Sequence, residues 1–300
     1  TSRGCPWRCG FCYTLAHNKR TWRAMSPERV VQEFKYVKEV LGVRDLFLFD
    51  DEFFIDLKRV AAIADLLEKE NLDMRLHNVN CRAGSLCRMD MGLLKKMRRV
   101  GLHYILVGVE SGSPRVLDSM KKDMTIDEVI EANQRCIEAD ITPYFSFMCG
   151  FPQETEEDVR LTLKLQERLL RDNPRAMVSK TVFYYPFPGT PMFDEAVEQY
   201  GFEAPQSLDE WATYIDSPKH YRNVPENQHA FAEDAAIFTV FLDTKFIEIK
   251  NPVLRLMANI YSLYLRTAIR YDLLGRRPLG MTALRAVYHA WHKRKGLLEE

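Results

Sequence analysis

Ser26-Pro27-Glu28-Arg-Val30-Val31-Gln-Glu-Phe34-Lys-Tyr-Val37-Lys-Glu-Val-Leu41-Gly42, followed by Asp45-Leu-Phe-Leu-Phe-Asp50, is the unit from which most of this chain is built. A hydroxyl N-cap, a proline in the first turn and an acid near the positive end of the dipole open a helix. Val30, Val31, Phe34, Val37 and Leu41 recur at helical spacing, and Gly42 closes the helix. Asp45 to Asp50 is short and apolar and reads as a buried strand.

The same cycle repeats downstream. Leu57 to Glu70 reads as helix and Met74 to Val79 as strand; Leu93 to Val100 is a helix ended by Gly101, before a strand over His103 to Val109. Thr125-Ile-Asp-Glu128 is a capping box for a helix to Ala139. Tyr144 to Cys149 is a strand, Thr155 to Arg171 a long amphipathic helix, and Met177 to Tyr185 the last strand. Such alternation implies a parallel sheet with right-handed crossovers, with chemistry gathered at the C-terminal strand ends. Five strands are complete, and a sixth, truncated at Thr1, precedes a cysteine loop. The expected fold is α/β: a partial (β/α)6 TIM-like barrel with a mainly helical C-terminal appendage. Its boundaries are expected at 1–195 for the core and 196–300 for a helical region on the substrate side.

Composition narrows the function. Lys plus Arg and Asp plus Glu both number 42, so the chain lacks the broad basic field of a polynucleotide binder. Seven cysteines, three of them in the first dozen residues, fit reduced thiols in a cytoplasmic setting better than a disulfide framework. The apolar run from Leu256 to Leu265 is about half of what a membrane-spanning helix needs. Arg266, Arg270, Arg276, Arg277, Arg285, Lys293, Arg294 and Lys295 stand against Asp272 alone, giving the C-terminal helices a basic face. With Tyr264, Leu265, Ile269, Leu273 and Leu274 beside it, that face suits either peripheral contact with an anionic membrane or packing on the barrel.

The chemistry is concentrated in Gly4-Cys5-Pro6-Trp7-Arg8-Cys9-Gly10-Phe11-Cys12-Tyr13. Three thiolates spaced C-x3-C-x2-C can wrap one face of an iron–sulfur cube and leave one iron without a protein ligand. An open metal position is where a substrate binds. On spacing alone a Cys3His zinc site that adds His17 competes, and it would make the chain a zinc-stabilised binding protein.

C-x3-C-x-aromatic-C at the end of a first strand resembles the signature of the radical S-adenosylmethionine (SAM) superfamily, and the likeness extends over residues 1–195. It implies a [4Fe-4S] cluster on Cys5, Cys9 and Cys12 whose open iron is chelated by SAM. Reduction of the cluster then yields methionine and a 5'-deoxyadenosyl radical. In the same family Phe11 would lie against adenine. Gly108-Val-Glu110-Ser-Gly112 resembles the segment whose carboxylate, here Glu110, contacts the SAM ribose. Phe147-Met-Cys-Gly150-Phe-Pro-Gln-Glu154 resembles the segment whose backbone, at Gly150, packs on adenine. Glu154 would join that contact or serve the following helix. Asp50-Asp51-Glu52 would supply a group for the SAM amine, and Arg82 one for its carboxylate. Cys136 is expected in the core, as is Cys149, while Cys81 and Cys87 fit no second cluster.

Thr-Ser-Arg-Gly-Cys-Pro at the start, Glu110-Ser-Gly-Ser113 and Pro186-Phe-Pro-Gly-Thr-Pro191 resemble the cobalamin-associated subgroup, with its methyltransferases and its anaerobic cyclase. That resemblance implies hydrogen abstraction from an unactivated C–H bond of a small-molecule or lipid-like substrate, with or without methyl transfer from cobalamin. It also implies a reductase, ferredoxin or flavodoxin as electron donor. The cobalamin domain typical of the subgroup is not among these residues, and the chain is expected to be a fragment. A methylthiotransferase shares the core motifs and is the other enzymatic reading.

Overall fold

The structure is a computed structural model that describes residues 1–214, 221–225, 227–246, 250–275 and 278–285. Its first half alternates as the sequence predicts: α2 (Pro27–Glu39), β3 (Asp45–Phe47), α3 (Leu57–Glu70), β4 (Arg75–His77) and β5 (Val79–Cys81), after a short β1 (Ser2–Arg3), α1 (Tyr13–Asn18) and β2 (Arg23–Ala24). β3 is shorter than expected and is not the buried strand its apolar run suggested: among the described residues it pairs only with β4, and Phe47 and Phe49 are 60% and 77% exposed. Then come α4 (Ala83–Arg88), α5 (Met91–Arg99), β6 (Tyr104–Glu110), α6 (Pro114–Ser119), α7 (Ile126–Glu138), β7 (Thr142–Cys149) and α8 (Glu156–Asp172). β8 (Met177–Val178), β9 (Val182–Phe183), α9 (Pro191–Glu198), α10 (Leu208–Tyr214), α11 (Ala230–Phe238) and α12 (Pro252–Arg270) complete the order.

The caps are those the sequence announced. Ser26 accepts from the Arg29 N–H, and Thr125 with Glu128 forms a complete capping box. β5, β6, β7 and β8 pair in that order, with β9 beside the far end of β7, and every one of these pairings is parallel. β3 and β4 form a second parallel pair, joined to the first sheet by a parallel bridge between Leu76 and Leu102. Ile105, Val107 and Val109 of β6 and Phe145, Phe147 and Cys149 of β7 are fully buried, while alternate residues are less so. That period of two is a sheet with one face under helices and the other turned toward an open interior.

Two expected strands are interrupted. Met74–Val79 breaks at Asn78, whose φ of +53° is outside the range of a strand. Met177–Tyr185 breaks at 179–181, where the Ser179 hydroxyl takes the Phe147 N–H and the Thr181 N–H goes to the Thr239 hydroxyl. Local hydroxyl bonds replace the ladder there. The first strand also differs from expectation: β1 pairs antiparallel with β2, and reaches the end of β3 through side chains.

The C-terminal helices share the barrel's core. Phe231, Ala235, Phe238, Leu265, Ala268 and Ile269 belong to the same buried cluster as the strands. Arg270 Nε bonds Glu167 on α8 at 2.9 Å. Leu265, Ile269 and Leu274 are 0–4% exposed and pack on the barrel, one of the two roles expected of this face, while Leu273 beside them is 71% exposed. Arg276, Arg277, Lys293, Arg294 and Lys295 lie outside the described residues. Among the described residues no helix is long and apolar enough to cross a membrane.

Candidate active site

The cysteine loop is fixed by its neighbours on both sides. Gly4 has φ +87°, and a Cβ there would fall 2.0 Å from the Thr21 carbonyl oxygen, so only glycine fits. Its N–H donates to Asp51 Oδ2 at 2.7 Å, and the Thr14 hydroxyl reaches Asp51 Oδ1. Asp50 is fully buried and takes the Ser2 hydroxyl. Of the three acids after β3, two therefore anchor the loop. On the other side, the Gly10 N–H donates to the Met120 carbonyl at 2.8 Å, and the Met192 N–H to the Gly10 carbonyl at 3.1 Å. The thiols are thus held beside the C-terminal ends of β3, β5 and β6.

The third acid, Glu52, turns inward. It is 2% exposed, and burial pushes its carboxyl up to about 7, opposed by the Phe54 and Arg82 backbone N–H groups and by the charges of Arg82 and Lys122. Burial also pushes the Cys5 thiol up to about 11; a Trp7 backbone hydrogen bond opposes this, and Glu52, Cys9 and Cys12 reinforce it. Glu110 sits at a bulge in the β6–β7 ladder with φ +71°, a strained conformation for a non-glycine residue. Its carboxylate accepts from Lys122 Nζ at 2.8 Å, in a pair whose side chains are 11% and 7% exposed. The same ammonium stands 5.5 Å over the Phe11 ring. Gly108 leaves this pair room, since a Cβ there would be 2.7 Å from Glu110 Oε1 and 3.3 Å from Lys122 Nζ.

Arg82 is engaged with the cysteine loop and the α6–α7 connection. Nη1 donates to Cys9 Sγ at 3.3 Å, Nη2 donates to the Lys122 and Asp123 carbonyls, and the guanidinium lies 4.5 Å over Trp7. Both terminal nitrogens are committed, so the two-pronged fork needed to clamp a carboxylate is not available. Lys122 is the buried cation with a single carboxylate partner, and the sequence reading missed it. In Lys121-Lys122-Asp123 it looks like one member of a solvated run, and only folding shows that it is 5% exposed.

The residues around the loop suit a cluster. Cys5, Cys9 and Cys12 share one short loop and are electrostatic neighbours, two buried cations stand near it to offset thiolate charge, and the Trp7 indole N–H is buried without a partner. A cube spreads its three thiolates over three irons. Among the described residues no group of three His, Cys, Asp or Glu is arranged for a single ion, and His17 is exposed and stacked on Tyr13 at 5.6 Å. The Cys3His zinc site is not assembled.

At the end of β7, Gly150 has φ +79° and a planar ring does pack on it: a Cβ would lie 2.3 Å from the Phe183 ring. Glu154 does not cap α8, which Thr155 and Asp158 do as a capping box. Instead its Oε2 takes the Gly150 N–H, while Oε1 is buried without a partner. Burial pushes this carboxyl up to about 8, with the Asp158 charge adding to it and the Gly150 and Phe151 N–H groups opposing it. Cys136 and Cys149 are fully buried, with Cys149 Sγ on the Ala232 carbonyl, while Cys81 and Cys87 bond carbonyls of Arg82 and Glu128. None of these four faces the loop as a ligand set.

Comparison with known proteins agrees with this geometry. The chain is 30% identical over 197 residues to an uncharacterised methyltransferase of Pyrococcus horikoshii, covering 66% of this chain and 41% of that one. It is 30% identical over 199 residues to the anaerobic magnesium-protoporphyrin IX monomethyl ester cyclase of Cereibacter sphaeroides, covering 66% and 31%. The chain therefore spans less than half the length of either relative. The structure of OxsB, a cobalamin-dependent S-adenosylmethionine radical enzyme with aqua-cobalamin bound, superposes with a TM-score of 0.63 at 16% identity. That match covers 99% of this chain and 49% of OxsB, and it shows a shared fold that includes the C-terminal helices. The model of the Radical SAM superfamily matches residues 1–165, more than half of the chain, and the protein is a member of that superfamily.

Proposed function

We propose that this chain is the catalytic core of an enzyme that abstracts hydrogen from an unactivated C–H bond and then transfers a methyl group from cobalamin. The carrying observation is the three-cysteine loop set against buried Glu52, Arg82, Lys122 and Glu110 at the C-terminal strand ends. Cys5, Cys9 and Cys12 would hold a [4Fe-4S] cluster, which supplies the electron that cleaves SAM to methionine and a 5'-deoxyadenosyl radical.

The chain's own residues then position and enclose. Glu110 offers two acceptor oxygens for the ribose hydroxyls once Lys122 turns from it to a carboxylate of the cofactor. Phe11 and the Gly150 backbone bound the adenine, with Phe183 moving off Gly150, and Glu154 braces that turn. Residues 1–195 form the core in this reading, and 196–300 close its substrate side. The substrate is a small or lipid-like molecule and the electron comes from a reductase, ferredoxin or flavodoxin. The methyl-transfer part is supported by the likeness to a methyltransferase and to the OxsB fold. A second reading, ring-forming oxidation without methyl transfer, is favoured by the equal identity to the cyclase.

The test is anaerobic reconstitution followed by dithionite and SAM. Stoichiometric 5'-deoxyadenosine and methionine are expected; their absence from protein carrying four irons would refute the proposal. Added methylcobalamin and trapped product then separate methyl transfer from cyclisation.

A further inference from the structure

We infer that Arg82 is a positioning residue that sets the reduction potential of the cluster, by donating a charged hydrogen bond to the Cys9 sulfur. The inference rests on the cluster assignment made above. Nη1 reaches Cys9 Sγ at 3.3 Å, within the range of an N–H···S bond, and both groups are buried, at 9% and 8% exposure. The guanidinium cannot swing away freely. Nη2 is tied to the Lys122 and Asp123 carbonyls, and the plane is stacked 4.5 Å over Trp7, itself a residue of the cysteine loop.

Hydrogen bonds to the sulfurs, net charge and burial are the quantities that set a cluster's potential. Reduction adds one negative charge to the cluster, and a guanidinium N–H on a thiolate stabilises the form with more negative charge. Low local dielectric strengthens that contact. Other charges at the loop include Lys122, which is already paired with Glu110, Arg8, which is paired with Asp123, Arg20 on the Pro6 carbonyl and Arg88 near the Trp7 ring, while Glu52 and Asp51 act in the opposite sense. Arg82 is the cation joined directly to a cysteine sulfur among the described residues. Ligand-supporting groups of this kind commonly matter tenfold or more.

The experiment uses anaerobically reconstituted protein without SAM, with iron and sulfide determined before each run. Arg82→Gln is expected to be about tenfold harder to reduce in an EPR-monitored redox titration, a shift of about 59 mV to lower potential for one electron. Arg82→Lys, which keeps the charge but not the fork, is expected between the two. A four-iron Arg82→Gln cluster at the wild-type potential, with SAM affinity lowered instead, would overturn the inference and make Arg82 a cofactor clamp. Should the variants not load, the wild type labelled with 15N-arginine decides. A 15N coupling to the reduced cluster in ENDOR supports the bond, and a loaded cluster without that coupling refutes it. Protein that binds no four-iron cluster refutes the proposed function and this inference together.

Discussion

Two acid–base pairs, one at a C-terminal strand end and one at N-terminal strand ends, show how position changes the meaning of an ion pair. Glu110 and Lys122, at the C-terminal end of β6, are 2.8 Å apart with side chains 11% and 7% exposed. Asp45 and Arg75, at the N-terminal ends of β3 and β4, are 2.5 Å apart but 46% and 57% exposed. The outer pair is solvated and screened, and such pairs contribute little. The inner pair has left water on both sides, and removing one partner strands the other. Two buried charges and a positive-φ glutamate where apolar packing would be cheaper fit the proposed role of this strand end in cofactor binding. The outer pair, which holds the Asp45 carboxyl well below the usual carboxylate range through Arg75 and His77, needs no such explanation.

The largest expected effect breaks the inner end outright. Alanine at Cys5, Cys9 or Cys12 should abolish four-iron loading and 5'-deoxyadenosine formation, read by iron analysis and chromatography. Next, Lys122→Met leaves Glu110 buried and unpaired. It should cost about 3–5 kcal/mol in urea unfolding of the apoprotein, and adding Glu110→Leu should recover most of that loss. If Lys122→Met is neutral, the inner pair is no more buried in effect than the outer one.

Glu154→Gln sharpens the comparison by removing a buried ionisable group while keeping an acceptor for the Gly150 N–H. The folded-state value of about 8 lies above the ordinary carboxylate range. The folded protein therefore holds a proton that the unfolded chain has lost, and wild-type stability falls as pH rises from about 4.5 to about 8. The variant should lose that slope, which across this window amounts to on the order of 4 kcal/mol, and gain on wild type steadily as pH rises to 8. Equal slopes for the two proteins would mean that Glu154 titrates normally. The smallest effect belongs to the outer pair: Asp45→Asn should leave the melting temperature and 5'-deoxyadenosine yield unchanged, with no dependence on salt.

Local patterns were legible where one residue type decides a structure. Ser26 and Thr125 cap helices as their chemistry requires, and the helix read over Leu57–Glu70 forms over those residues. The C-x3-C-x2-C spacing singled out the cysteine loop for the same reason. Groups defined by distant partners were not legible. Lys122 is recognisable only once β6 brings Glu110 beside it, and the role of Arg82 depends on a cysteine 73 positions earlier. The β8–β9 break depends on Thr239, 58 positions beyond Thr181. Burial of Leu265 and Ile269 likewise depends on α8, because an amphipathic helix does not state whether its apolar stripe meets lipid or protein.

The proposed activity requires a cluster with one iron that the protein leaves open. Mössbauer spectra of 57Fe-reconstituted protein, recorded before and after SAM is added, address this directly. One iron of four should change its isomer shift as SAM binds, with the other three unmoved. Four irons that all keep their parameters while SAM is shown to be bound would contradict it.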